Sequence, residues 1–211
     1  LFHKFEPIEE GELASDVRAM MEESGIKVVG VFKWGLEEKT STANAAFTGI
    51  GRTKRIILGD TLLSGYSKEE ILAILAHEVG HYKNHDILRL TMVQSLLAVL
   101  GFYIAHLCLS TLVAFYGLAG VDDIGAAPIF IFSLFVFSLV AMPFTNMHSR
   151  RREFAADAYA IAKVGSPDAL ISAFEKLADQ NLSNKEPAVW VEFLLHSHPS
   201  ISRRIERARQ S

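Results

Sequence analysis

The sequence has very few of the residues on which several common kinds of site depend. It contains a single cysteine, Cys108, among 211 residues. One cysteine excludes both an internal disulfide and a zinc site built from several thiolates. The net charge is only -3, and no basic stripe carries interleaved aromatic residues. We therefore expect no nucleic-acid partner.

Charge itself is missing from two long stretches. Asp, Glu, Lys and Arg are absent from Thr91 to Val121 and again from Ile124 to Ser149, with only Asp122 and Asp123 between them. Each stretch exceeds the roughly 20 apolar residues needed to cross the hydrocarbon core of a bilayer. Both are predicted to be transmembrane helices that form a hairpin. The alternative is a pair of buried core helices, although a soluble protein of this size rarely holds two helices that are apolar on every face.

The charges that flank the hairpin predict its orientation. Lys83 and Arg89 lie at one outer end and Arg150–Arg152 at the other, whereas the short linker is acidic. The positive-inside tendency places both outer ends on the cytoplasmic side. Two segments that are distant in sequence thereby return to the same face of the membrane.

The sequence as a whole predicts three regions. Residues 1–90 are expected to form an amphipathic helix (Glu12–Glu23), a small antiparallel sheet, and a helix that begins at the capping box Ser67-Lys68-Glu69-Glu70. Residues 91–147 contain the hairpin, with spans at about 91–117 and 126–147, and residues 148–211 are helical. The helix from Ser67 either enters the membrane or breaks near Asn84-His85-Asp86. Because Leu1 is not a start methionine and no secretory signal precedes it, we expect a segment of a longer protein or a processed product.

An H-E-x-x-H sequence lies on the predicted helix from Ser67. His77 and His81 are four residues apart and therefore share one helix face, where both can bind one metal ion. Glu78 lies about 100° further round and faces the same cavity. Zinc in a catalytic site usually has three protein ligands and one open position, so a third ligand must come from elsewhere in the chain.

Two carboxylates just beyond the second apolar stretch are candidates for completing the site. Glu153 and Asp157 are four residues apart on one face of a predicted helix. Glu153 could be the third ligand, and Asp157 could orient a ligating imidazole by accepting its second N–H. The alternative is a solvated acidic face that balances Arg150–Arg152.

The chain resembles the membrane-embedded zinc metalloproteases of the CAAX prenyl protease type 1 family. The similarity extends over nearly the whole chain in four ordered blocks, which together are far more specific than an H-E-x-x-H sequence alone. The blocks are Asn44–Gly49 with Arg55–Leu63, His77–His81, Ser149–Asp157, and Ser197–Pro199 with Arg203–Ile205.

The resemblance implies a mainly α integral membrane metalloprotease, with a gluzincin-like H-E-x-x-H helix, a small antiparallel sheet and a transmembrane hairpin. It implies one Zn²⁺ per chain, bound by His77, His81 and Glu153. Glu78 would activate the attacking water and Asp157 would hold a histidine in place. His198 would help to stabilise the oxyanion, with Arg204 nearby as a substrate-binding residue. Family members have about seven membrane helices, so the N-terminal helices of the same protein are expected to be missing from this chain.

The resemblance also implies how a substrate would bind. Asn44, Ala45, Ala46 and Phe47 match the edge strand along which family members hold an extended substrate backbone. The implied substrates are peptides or proteins at the bilayer, including prenylated CAAX-type C termini. Ala46 stands where prenyl-processing members commonly have a larger aromatic residue. A quality-control protease of the HtpX type is the alternative enzyme, and a noncatalytic module that binds lipidated or unfolded chains is the alternative of another class.

Overall fold

A computed structural model describes residues 5–8, 11–35, 45–49, 51–180 and 187–211. Its secondary structure is mostly helical, with a small mixed sheet. In chain order the elements are β1 (Phe5–Pro7), α1 (Glu12–Glu23), β2 (Gly30–Trp34), β3 (Ala45–Thr48), β4 (Arg55–Gly59), α2 (Asp60–Gly65), α3 (Lys68–Lys83), α4 (Asp86–Tyr116), α5 (Ala127–Val164), α6 (Asp168–Gln180), α7 (Val189–Leu195) and α8 (Ile201–Arg209). The contacts between residues divide the chain into two units.

The first unit contains residues 1–84, 152–187 and 199–211. Its four-stranded sheet has the order β1-β2-β4-β3, so β3 lies at one edge. β1 pairs with β2 and β3 pairs with β4 in antiparallel register, whereas β2 and β4 are parallel, with Val31 opposite Ile56. The prediction of a purely antiparallel sheet is therefore wrong. A parallel pair needs a connection of a dozen or more residues, and the chain between Trp34 and Arg55 is long enough to provide one.

The core of this unit lies between the sheet and the helices. α1 buries Val17, Met20 and Met21, as expected of the predicted amphipathic helix. α3 packs against both α1 and α6. The largest fully buried side chains of the unit include Ile56, Leu58, Leu62, Leu75, Val79 and Leu170.

The helix that carries H-E-x-x-H ends before the first apolar stretch begins. α3 ends at Lys83, and α4 begins at Asp86. Between them His85 has φ 54°, in the left-handed region that a residue with a side chain rarely adopts. Of the two arrangements that the sequence left open, the structure has the break.

The second unit contains residues 85–151 and 188–198. Two helices of the chain are long and apolar enough to cross a membrane, Asp86–Tyr116 and Ile124–Val164. Only 17% of the most apolar stretch of the first helix and 6% of that of the second are buried inside the molecule. A core helix of a soluble protein would be mostly buried, so the exposure favours spans that face lipid.

The two apolar helices approach each other closely where α4 has small residues. Gly101 and Ala105 are four apart and both buried. A Cβ at Gly101 would lie 2.9 Å from the ring of Phe137 on α5, so the absence of a side chain permits this approach. Small residues at this spacing are typical of helix pairs in membranes.

Candidate metal centre

The helix α3, which carries two candidate metal ligands, begins at a capping box. The Ser67 side chain accepts a hydrogen bond from the backbone N–H of Glu70 at 3.3 Å. The Glu70 carboxylate accepts in return from the backbone N–H of Ser67 at 2.7 Å. This confirms the predicted capping box. The helix then places His77, Glu78 and His81 in its last two turns.

α5 crosses α3 at the glycine of the H-E-V-G-H sequence. A Cβ at Gly80 would lie 3.0 Å from the Cα of Ala156 and 3.2 Å from its carbonyl oxygen. Ala156 is itself fully buried. The contact between backbones brings the helix turn with Glu153 and Asp157 beside the two histidines. The close packing at Gly80 has one signal in the sequence, since an isolated glycine inside a helical pattern often marks a packing contact.

Three candidate ligand side chains meet at this crossing. The Nε2 atoms of His77 and His81 are 3.0 Å apart. Glu153 Oε2 lies 3.6 Å from Nε2 of His77, and Glu153 Oε1 lies 3.5 Å from Nε2 of His81. Nitrogen and oxygen ligands about 2.0–2.1 Å from a tetrahedral zinc ion would be about 3.3 Å from one another. The spacing and chemistry of the three groups therefore suit zinc, and their donor atoms could hold a metal ion.

Asp157 and Arg204 lie directly behind His77. Asp157 Oδ1 is 2.9 Å from Nδ1 of His77, which leaves Nε2 directed toward the metal position. Arg204 on α8 donates from Nη2 to Asp157 Oδ1 at 2.6 Å and from Nε to Oδ2 at 2.9 Å. Its Nη1 lies 3.4 Å from Glu153 Oε2. This bidentate pair joins α8 to the ligand-bearing turn of α5.

Burial and hydrogen bonding act in opposite directions on the Asp157 carboxyl. Burial alone would raise its pKa, because it disfavours the charged form. The hydrogen bonds from His77 and Arg204, with the charge of Arg204, outweigh burial and hold the pKa of Asp157 below its ordinary value. The carboxylate is therefore charged at neutral pH and can orient His77.

The pairing of Arg204 with Asp157 was not foreseen from the sequence. The two residues lie 47 positions apart on different helices, and no spacing pattern reports such a contact. Arg204 also stacks on the ring of Phe174, with its guanidinium carbon 4.1 Å from the ring centroid. Arg204 thus contacts Asp157 and also lies against two of the candidate ligands, His77 and Glu153.

The other predicted site residues lie in different places. Glu78 is partly buried on α3, directly after His77, whereas His198 is exposed and follows α7 in the second unit. Ala45, Ala46 and Phe47 form most of the edge strand β3 and are partly buried. Phe47 also contacts the ring of Tyr82 on α3 at 5.1 Å between centroids. Asn44 lies outside the described residues.

Comparison with known proteins identifies the class to which this fold and site belong. A metalloprotease described as YhfN, uncharacterised, from Bacillus subtilis is 34% identical over all of this chain and half of its own length. CAAX prenyl protease 1 from Saccharomyces cerevisiae is 33% identical over 97% of this chain and 49% of its own length. Protease HtpX from Hahella chejuensis is 30% identical over 93% of this chain and 70% of its own length.

A solved structure shows the same fold. The crystal structure of S. mikatae Ste24p matches with a TM-score of 0.84 and 29% identity, over 98% of this chain and 52% of that one. Residues 7–211 match Peptidase family M48, and the chain belongs to this family of metalloproteases. The similarity and the two apolar helices together indicate a membrane protein. The chain spans about half the length of the first curated relatives that it matches.

Proposed function

We propose that this chain carries the catalytic site of a zinc-dependent endopeptidase that cleaves peptide bonds close to the cytoplasmic face of a membrane. The observation that supports this function best is the meeting of two histidines and a glutamate, from α3 and α5, at spacings that suit zinc. Membership of a metalloprotease family supports the same conclusion. His77, His81 and Glu153 would hold the ion.

The side chains around the ion have separate tasks in this proposal. When bound, zinc lowers the pKa of a water molecule and polarises the scissile carbonyl. Glu78 accepts the proton of the attacking water and passes it to the leaving amine. Asp157 holds the orientation of His77 through its hydrogen bond to Nδ1. His198, which matches the family only in sequence, donates a hydrogen bond to the oxyanion, an interaction typically worth a few kcal/mol.

The edge strand β3 supplies the surface for the substrate backbone. β3 pairs with β4 on one side and is the last strand in the order, so its other side forms the edge of the sheet. An extended peptide can add to such an edge through main-chain hydrogen bonds, with side-chain pockets that set specificity. Phe47 ties the strand to α3 through Tyr82, immediately after His81.

The proposed substrates are proteins with prenylated CAAX-type C termini, because relatives named CAAX prenyl protease 1 match almost the whole chain. A quality-control protease acting on misfolded membrane proteins is the second candidate, since HtpX matches a larger share of its own length. Cleavage rates for a farnesylated peptide and for the same peptide without the lipid separate the two. Equal rates would exclude the prenyl-specific function.

The catalytic mechanism is tested by replacing Glu78 with Gln. The amide cannot accept the proton of water, so we expect proteolysis to be abolished while zinc content stays near one per chain. Glu206→Gln, the same change at an exposed position on α8, is the matched control and should keep its activity. Activity that survives in Glu78→Gln would show that the proposed general base is wrong. An absence of zinc in the purified wild-type chain would instead favour a purely structural transmembrane hairpin.

A further inference from the structure

The short helix α7 has the opposite polarity to that of a helix on a water-facing surface. Its one charged residue, Glu192, is only 2% exposed, whereas Trp190 is 66% exposed. Val189, Phe193 and Leu195 are exposed as well. A helix on a water-facing surface normally buries its apolar residues and exposes its charges. α7 therefore presents to its surroundings the kind of surface that lipid, and not water, favours.

The orientation of α7 is fixed by two polar residues of α5. Asn146 donates to the carbonyl oxygen of Leu194 at 2.6 Å. Arg150 donates from Nη1 to the carbonyl oxygens of His196 at 2.6 Å and Glu192 at 2.9 Å. The last carbonyls of a helix have no partner inside the helix, and a cation there also suits the helix dipole. Because Asn146 and Arg150 are both buried, this attachment holds the apolar face of α7 outward.

The point of attachment lies where the apolar span ends. Val140 and Phe144 on α5 are exposed apolar residues of the span, and the uncharged stretch ends at Ser149. The attachment residues Asn146 and Arg150 lie at this boundary, and Arg151 beside them is exposed. Tryptophan is enriched at the level of the lipid headgroups, and basic residues near it attract anionic phosphates. The surface of α7 thus continues the lipid-facing surface of the span into the interfacial layer.

We propose that α7 is an interfacial anchor, which lies at the boundary between headgroups and acyl chains with Trp190 and its apolar neighbours inserted into lipid. The helix is too short to cross a bilayer, so it lies on one side of it. The anchor fixes the level, relative to the membrane surface, of the chain that leads to Ser197-His198-Pro199. This role is independent of the proposed catalytic function, and its test does not need activity.

The test uses the fluorescence of Trp190. The chain has two tryptophans, so Trp34→Phe leaves Trp190 as the single reporter. The full chain would be reconstituted in vesicles of phosphatidylcholine and phosphatidylglycerol that contain lipids brominated at different depths. We expect a blue-shifted emission that is quenched most by bromines near the headgroup end of the acyl chain and little by iodide in solution. Trp190→Phe, which reports from Trp34 in the sheet, is the matched control.

Three results would overturn the anchor. Strong quenching by iodide would show that Trp190 faces water, and quenching mainly by bromines at the bilayer midplane would place it too deep. Protection from both quenchers would show that protein, and not lipid, covers it.

A second measurement tests the attachment. Asn146→Ala in the Trp34→Phe background removes one of the two side chains that hold α7, and we expect iodide quenching of Trp190 to increase. Unchanged quenching would show that Asn146 is not needed for the position of α7. If this variant fails to fold, the measurement on Trp34→Phe alone still decides the proposal.

Discussion

His77 has a structural support at its second ring nitrogen, which contacts the buried carboxylate of Asp157. Its Nδ1 contacts Asp157, and Asp157 accepts hydrogen bonds from two guanidinium nitrogens of Arg204, Nε and Nη2. The carboxylate fixes which ring nitrogen carries the proton and raises the basicity of the other. The quality of the proposed zinc site thus depends on a residue that does not touch the metal position.

Replacing Asp157 with Ala is expected to lower zinc affinity by about 10–100-fold, the range typical for such outer partners of a metal ligand. The change leaves the imidazole N–H and the guanidinium of Arg204 without their carboxylate. Competition with a chromophoric chelator measures the affinity directly, without reference to activity. Asp157→Asn keeps an oxygen acceptor and should lose less. An affinity equal to that of the wild type in Asp157→Ala would mean that α3 alone orients His77.

Many of the candidate site residues could be found from the sequence because they lie in two short segments, each with helical spacing. His77, Glu78 and His81 follow helix periodicity, and the four-residue spacing of Glu153 and Asp157 placed them on one face. The arrangement of Arg204 around Asp157 was not predictable, because it depends on how α8 meets α5 in space. For the same reason the sequence indicated β-type clusters but not their direction, and the parallel pairing of β2 with β4 contradicted the predicted antiparallel sheet.

At the scale of elements, the crossing of α3 and α5 decides whether the ligands meet. A methyl group at Gly80 would lie against the backbone of Ala156, at distances tighter than most Cβ contacts. Backbone cannot rotate away as a side chain can, so α5 must shift. Such a shift would move Glu153, which lies one turn before Ala156.

Gly80→Ala should therefore have two opposite effects on the stability of the folded protein, a gain from helix propensity and a loss from packing. Through helix propensity alone, alanine in place of glycine would stabilise α3 by about 1 kcal/mol. We expect the displaced crossing to outweigh this gain, with a lower melting temperature and weaker zinc binding, measured by thermal unfolding in detergent and chelator competition. A variant that is more stable than the wild type and binds zinc equally well would show that the crossing has spare room.

Glu70 joins the start of α3 to α6. Besides its part in the capping box, its carboxylate accepts from Ser172 Oγ at 2.6 Å and from Lys176 Nζ at 2.7 Å. Burial raises the pKa of Glu70, but these hydrogen bonds and the charge of Lys176 outweigh it and lower the pKa below the ordinary value of 4.5. A carboxyl with a lowered pKa stabilises the folded state above its ordinary pKa, and this contribution is lost as the pH falls through the lowered value.

The stability difference between the wild type and Glu70→Gln should therefore depend on pH. At pH 7 we expect the variant to be less stable by roughly 1.5–3 kcal/mol, as for hydrogen bonds to charged groups. The difference should shrink as the pH falls from 4.5 through the lowered pKa of the folded state, because Glu70 is then protonated first in the unfolded chain and finally in the folded protein. Thermal unfolding of both proteins across this range measures it. A constant difference would show that the charge of Glu70 is not what matters.

At the scale of the whole chain, the proposed hairpin gives a prediction about sidedness. The basic residues at the outer ends and the acidic linker predict that the metal-ligand helices and the C terminus face the cytoplasm, with the linker on the opposite side. Both reporters for a labelling experiment are available, since Ala119 in the linker and Ser211 at the C terminus are exposed. Cys108→Ser removes the only native thiol.

In that background, Ala119→Cys should react with a membrane-impermeant maleimide in intact cells, and Ser211→Cys should react only after permeabilisation. The reverse pattern would place the proposed site on the outer or lumenal side, where it could not act on cytoplasmic C termini. Labelling of both cysteines in intact cells, or of neither, would contradict a hairpin that crosses the membrane twice. The substrates proposed for this chain require labelling of Ala119→Cys in intact cells and of Ser211→Cys only after permeabilisation. A lipid-modified C terminus that is made in the cytoplasm can reach the site only if the site also faces the cytoplasm.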